Sequence, residues 1–158
     1  MRGELTGLLG CWMDAKPKVM AWCGLAVIAA LLVVGAVSHG VIRHIVQTAP
    51  LWIAIVMGFR GSAWTKWAAL PCFVFWLVLM TAIWLFLLGW ARIVSGTFSP
   101  TEIAMTLVVG AASIVGIIVA VRRKSAAPWW AATGVVVLLA ALQLLSFRLS
   151  LLPAIAHR

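Results

Sequence analysis

The sequence predicts an all-α integral membrane protein: a bundle of about five transmembrane helices preceded by a short N-terminal amphipathic interfacial helix. Three observations predict it. The residues are 65% hydrophobic and 9% charged, against roughly 25% charged in soluble domains, and the mean hydropathy is +1.16. The apolar residues are gathered into five runs without a charge, at 19–38, 45–59, 67–91, 103–121 and 125–147. The 12 Lys and Arg stand between and beyond those runs.

A helix needs about 20 apolar residues to cross a hydrocarbon core of about 30 Å, and four of the runs reach or approach that length. The second, at 45–59, covers only about 22 Å at about 1.5 Å per residue. It spans only if its helix begins near Val41, with Arg43 reaching back to the headgroups. The expected spans are therefore about 19–38, 41–59, 67–91, 100–121 and 126–148, all within one membrane domain at 18–158. Five crossings put eight basic residues on one side and four on the other, whereas without the second crossing the division is even. The positive-inside rule prefers the uneven arrangement, with the N-terminus in the cytoplasm. Arg outnumbers Lys by two to one, and Tyr and Asn are absent. That bias is what GC-rich codons produce, and it points to a bacterial inner membrane. Small residues at 36–38 have the spacing of a signal-peptide cleavage site. The run before them is longer than a signal core of about 7–15 residues, so the segment reads as a retained span.

Ahead of the first span, Leu5, Leu8, Leu9, Trp12 and Met13 recur at helical spacing. Glu4 stands early and Lys16 late, as the helix dipole prefers, and Pro17 is expected to separate this piece from the span. Residues 1–17 thus read as a helix lying on the membrane surface.

Lipid supplies no hydrophobic drive between helices, so close packing needs small residues. Ala112, Gly116 and Ala120 form such a stripe on the fourth span, which is expected to be the centre of packing, either within one bundle or against a second copy or a membrane-protein partner. On the third span, Trp76 and Trp84 share a face with Phe73 and Met80. With Trp52 they form a candidate apolar wall, and their simpler use is bulk packing. Trp64, Trp67 and Trp90 bracket the same span as an interfacial belt.

The densest polar patch opens the second span. His39 and Arg43, Arg43 and Gln47, and His44 and Thr48 are each one helical turn apart. Pro50 removes the donor that would meet the Val46 carbonyl, and such a carbonyl at membrane depth needs a partner or a cavity. The loop carrying Arg92 and Glu102 falls on the same side of the membrane. His39, Arg43, His44, Gln47, Arg92 and Glu102 are therefore the candidate polar binding cluster, with Glu102 close enough to reach Arg43 or His44. Each has a structural use as well: Ser99-Pro100-Thr101-Glu102 has the spacing of a capping box, and the arginines suit lipid phosphates.

Several chemistries lose support. His39 and His44 are five apart and do not share a helix face, and Cys11, Cys23 and Cys72 lack metal-binding spacing, so no metal is expected. No cofactor is expected, since one helix cannot offer two axial histidines to a haem. No carboxylate lies deep in a span to relay protons, no nucleotide or nucleophile motif occurs, and no water-exposed basic stripe suggests nucleic acid. Three readings of function follow in order. The first is a non-enzymatic accessory or assembly subunit, because packing accounts for nearly every residue. The second is binding or transport of an anionic or lipid-like molecule at the outer headgroup level. The third is a lipid-headgroup enzyme with His44 as base, Arg43 as anion clamp and Glu102 orienting the imidazole.

Overall fold

The computed structural model describes the backbone of residues 2–91 and 98–156, and the side chains of 16–91, 98–153 and 155. Among the described residues every regular element is helical: α1 (Arg2–Val37), α2 (Val41–Phe59), α3 (Thr65–Leu87), α4 (Pro100–Arg122), α5 (Trp129–Ser150) and the single turn α6 (Pro153–Ala156). Five of them hold a stretch long and apolar enough to cross a bilayer. α2 begins at Val41, as its crossing requires, and its 19 residues cover about 28 Å at about 1.5 Å each.

α1 differs from expectation at Pro17. The proline lies inside one continuous helix, and does not end it. Pro17 is buried, and its carbonyl comes so near α2 that a Cβ on Gly58 would stand 2.8 Å from it. A proline inside a helix costs one backbone bond, and packing against a neighbour is what holds such helices together in a membrane. The side chains of the 1–15 segment, on which the surface-helix expectation rests, lie outside the described residues.

The helices run alternately up and down. α4, α1, α2 and α5 follow one another around the bundle, and α3 closes the ring between α5 and α4. α3 is the one span that approaches all four others, whereas α4 approaches only α1 and α3. The expectation that α4 is the centre of packing is thus corrected: α4 packs closely against α1 and α3 alone, whereas α3, of the same length, reaches every other span. Phe73, Trp76, Cys72 and Met80 of α3 are all buried. Outside, Val78, Leu107, Val121, Val137 and Leu138 are each more than half exposed, an apolar surface too large for water and suited to lipid.

One end of the bundle carries Lys16, Lys18, Arg60, Lys66, Arg122, Arg123 and Lys124. Here the α2–α3 and α4–α5 loops are stapled together. Arg123 donates from Nη1 to the Ser62 carbonyl at 3.0 Å, Lys66 Nζ donates to the Arg123 carbonyl at 3.0 Å, and Ser125 Oγ donates to the Ala63 carbonyl at 3.2 Å. Partial burial pushes the Arg123 guanidinium below its ordinary value, although an arginine stays charged at neutral pH. The opposite end holds the 38–40 turn and the start of α4.

Candidate functional site

The start of α2 is set by the turn before it. His39 adopts a left-handed φ of 56°, and Gly40 N–H donates to the Gly35 carbonyl at 2.8 Å, the six-to-one bond of a Schellman ending. His39 is exposed on this turn, so its place is structural and outside the polar pocket. α2 then presents Arg43, His44 and Gln47 inward. His44 Nδ1 donates to the Gly40 carbonyl at 2.9 Å, which fixes the ring and leaves Nε2 free. Thr48 Oγ1 bonds back to the His44 carbonyl at 3.0 Å.

α4 starts as its sequence predicts. Ser99 N–H donates to Glu102 Oε2 at 2.7 Å, Glu102 N–H donates to Ser99 Oγ at 3.3 Å, and Pro100 occupies the first turn. The reciprocal bonds satisfy two helix-start donors and hold the Glu102 side chain at the helix end. Among the described residues no ion pair joins Glu102 to Arg43, and no hydrogen bond joins it to His44.

These groups nonetheless surround one cavity of about 540 Å³, to which all five spans contribute. Its polar side is Ser38, Arg43, His44, Gln47 and Glu102. Its apolar side comes from Leu31 and Val34 of α1, Trp76, Leu79 and Ile83 of α3, Met105 and Val109 of α4, and Phe147 of α5. The aromatic part is well packed: Phe75 meets both Trp76 and Phe147 edge to face, at centroid separations of 5.5 and 5.4 Å. Two buried donors beside the cavity, Arg43 Nε and Trp76 Nε1, have no hydrogen-bond partner among the described residues. A buried donor without an acceptor is costly, and more so on a charged group.

The structure sorts the remaining expected residues. Trp52 is 47% exposed on the outside of α2 and takes no part in the cavity. Trp84 lines a separate apolar groove on the outer surface between α3 and α4. Arg92 lies outside the described residues. In the small-residue stripe, Ala120 is fully buried and Ala112 partly so. A Cβ on Gly116 would stand 2.5 Å from Phe73 Cε2, so this glycine is occupied inside the bundle.

Sequence reading missed a polar lock behind the cavity. Gln143 of α5, wholly buried, donates from Nε2 to the Gln47 carbonyl at 2.9 Å, next to the carbonyl that Pro50 leaves without its helical donor. Gln47 Nε2 in turn donates to Ser150 Oγ at 2.9 Å. The signal was present: Gln143 is the only amide deep in the fifth apolar run, and such a group in lipid must find a partner.

No family model, no curated protein and no solved structure matches this chain.

Proposed function

We propose that this multi-pass membrane protein binds an anionic, lipid-like molecule in the cavity, with Arg43 as the charged contact. The observation that carries the reading is the buried Arg43 Nε, which has no acceptor among the described residues, in a cavity whose one carboxylate, Glu102, accepts from Ser99 N–H and whose remaining lining is largely apolar. A guanidinium in such a place favours phosphate or carboxylate, which accept charge-assisted bonds. His44 Nε2 and the hydroxyl of Ser38 add polar contacts at the same end, and the aromatic floor suits a hydrophobic portion.

This reverses the order that the sequence suggested. The accessory-subunit reading drew on small size, poor polar content and the small-residue stripe, and of these the stripe is used within the chain, where Gly116 spends its close approach on Phe73. The enzyme reading needs His44 and Glu102 in contact, and their hydrogen bonds run instead to Gly40 and Ser99.

The test is native mass spectrometry of the protein transferred from its own membrane into nanodiscs. One anionic amphiphile should be retained above its share of the bulk lipid and be lost from Arg43→Gln, while the thermal midpoint is unchanged. Retention that ignores Arg43→Gln would remove the basis of the proposal.

We also place the seven-residue basic end in the cytoplasm of a bacterial inner membrane, on the positive-inside rule. The cavity then opens toward the outer leaflet. In intact cells, a cysteine replacing Lys124 should resist an impermeant maleimide and one replacing Leu152 should react; the reverse pattern inverts the topology.

A further inference from the structure

The cavity has a neighbour. The groove between α3 and α4 that holds Trp84 measures about 470 Å³ and also takes in Leu77, Thr81, Gly110 and Ile114. Two residues, Met80 and Thr106, line both the groove and the cavity. Both are nearly buried, at 4% and 5% exposure, so together they form the partition between the two spaces. Thr106 Oγ1 is turned back to the Ile103 carbonyl at 2.7 Å, which leaves its methyl for the apolar side. Met80 is unbranched, and methionine changes rotamer with little cost. The partition is therefore thin, apolar and half made of a flexible side chain.

The helices are shaped for this. Phe73 against Gly116 pins α3 to α4 nearer the basic end. Six positions earlier on α4, a Cβ on Gly110 would meet nothing within 4 Å. Gly110 is turned about 120° around the helix from Gly116, and faces the groove while Gly116 faces Phe73.

We infer that the ligand is a membrane phospholipid that enters sideways from the bilayer between α3 and α4, its anionic head at Arg43 and an acyl chain passing the Met80–Thr106 partition into the Gly110 groove. The inference rests on the cavity reading above and adds the source of the ligand to it. A water-soluble anion would satisfy Arg43 equally well but would have no use for the groove. The groove lies beside the cavity on the lipid side and is almost wholly apolar, so a chain attached to the bound head is the occupant that uses both spaces at once.

The experiment compares two probes, dioleoylphosphatidylglycerol and glycerol 1-phosphate, on the full chain in detergent by native mass spectrometry. Wild type should hold the lipid and hold the head-only probe at least about tenfold more weakly, which is about 1.4 kcal/mol. Gly110→Leu fills the groove where there is room, and should lower lipid retention by about tenfold without changing the response to glycerol 1-phosphate. Ala111→Phe, on the exposed edge of the same groove, should act alike, and it carries the test should Gly110→Leu not fold. Arg43→Gln should weaken both probes. If both groove variants hold the lipid as wild type does while Arg43→Gln releases it, the lateral route is wrong and the cavity reading survives. Equal affinity for the two probes has the same meaning. If Arg43→Gln changes neither probe, both readings fall. A second protein chain retained at one to one in place of lipid also overturns the route.

Discussion

Gly110 and Gly116 stand on the same helix, in the same apolar run, and meet opposite conditions. Around Gly116 the space is taken by the Phe73 ring, nearer than any real Cβ contact allows. Around Gly110 there is nothing within 4 Å. The difference extends to the two halves of the bundle. Toward the basic end, Gly58 lies against Pro17 and Ala21, Gly24 against Ile55, and Gly116 against Phe73, while lysine and arginine side chains tie the loops by their carbonyls. Toward the other end a cavity lies among the helices and holds Arg43, His44, Gln47 and Glu102 beside aromatic walls, although Gly35 is packed against Val41 and His44 at this end as well. In the first half glycines bring the helices together; in the second a cavity remains between large and polar side chains, with α2 held to α5 by the Gln47 and Gln143 bonds. Membrane helices associate through close van der Waals contact and a few hydrogen bonds. The half with the glycines supplies the first, and the hollow half adds the second.

That contrast can be broken most strongly at Gly116. Gly116→Leu forces α4 away from Phe73 and should cost about 3 kcal/mol, the upper part of the usual overpacking range, read as a lowered thermal midpoint in detergent. Adding Phe73→Ala should restore part of the loss, and a full penalty in the double variant would mean that the seam is held by something other than this contact.

A smaller effect is expected from the polar lock in the hollow half. Gln143→Leu removes the bond to the Gln47 carbonyl, and measured interhelical bonds in membranes average about 0.6 kcal/mol. The same change also removes the buried Gln143 Oε1, which has no partner among the described residues, so the net destabilisation should stay under about 1 kcal/mol. A loss as large as that of Gly116→Leu would move the keystone of the bundle from the glycine seam to α2 and α5.

The least effect on stability should come from Gly110→Leu. Leucine is a better helix former than glycine by about 0.8 kcal/mol, and its Cβ would meet nothing within 4 Å, so the thermal midpoint should hold or rise slightly. Unfolding of this variant would mean that the space beside Gly110 is too small for a leucine.

Much of the fold was legible. Charge-free runs gave the number of spans, because a bilayer leaves a helix few places for charge. The start of α2 at Val41 followed from the length a crossing needs, and the capping box at Ser99 and Glu102 from their spacing alone. The candidate site was legible in part. Arg43, His44, Gln47, Glu102 and Trp76 do surround one cavity, but Trp52 points out of it, Trp84 lines the groove instead, and His39 serves the turn. Periodicity tells which residues share a helix face; it does not tell what that face meets.

The sequence by itself determined that the chain is a membrane helix bundle, and roughly where each helix begins and ends. Those properties depend on local hydropathy and on backbone groups that must bond within their own segment. Tertiary structure decided which glycine is a seam and which a groove, which glutamine locks two helices, and that α3, not α4, touches every other span. Each of those depends on a partner distant in the chain, and nothing in the local order of residues names the partner.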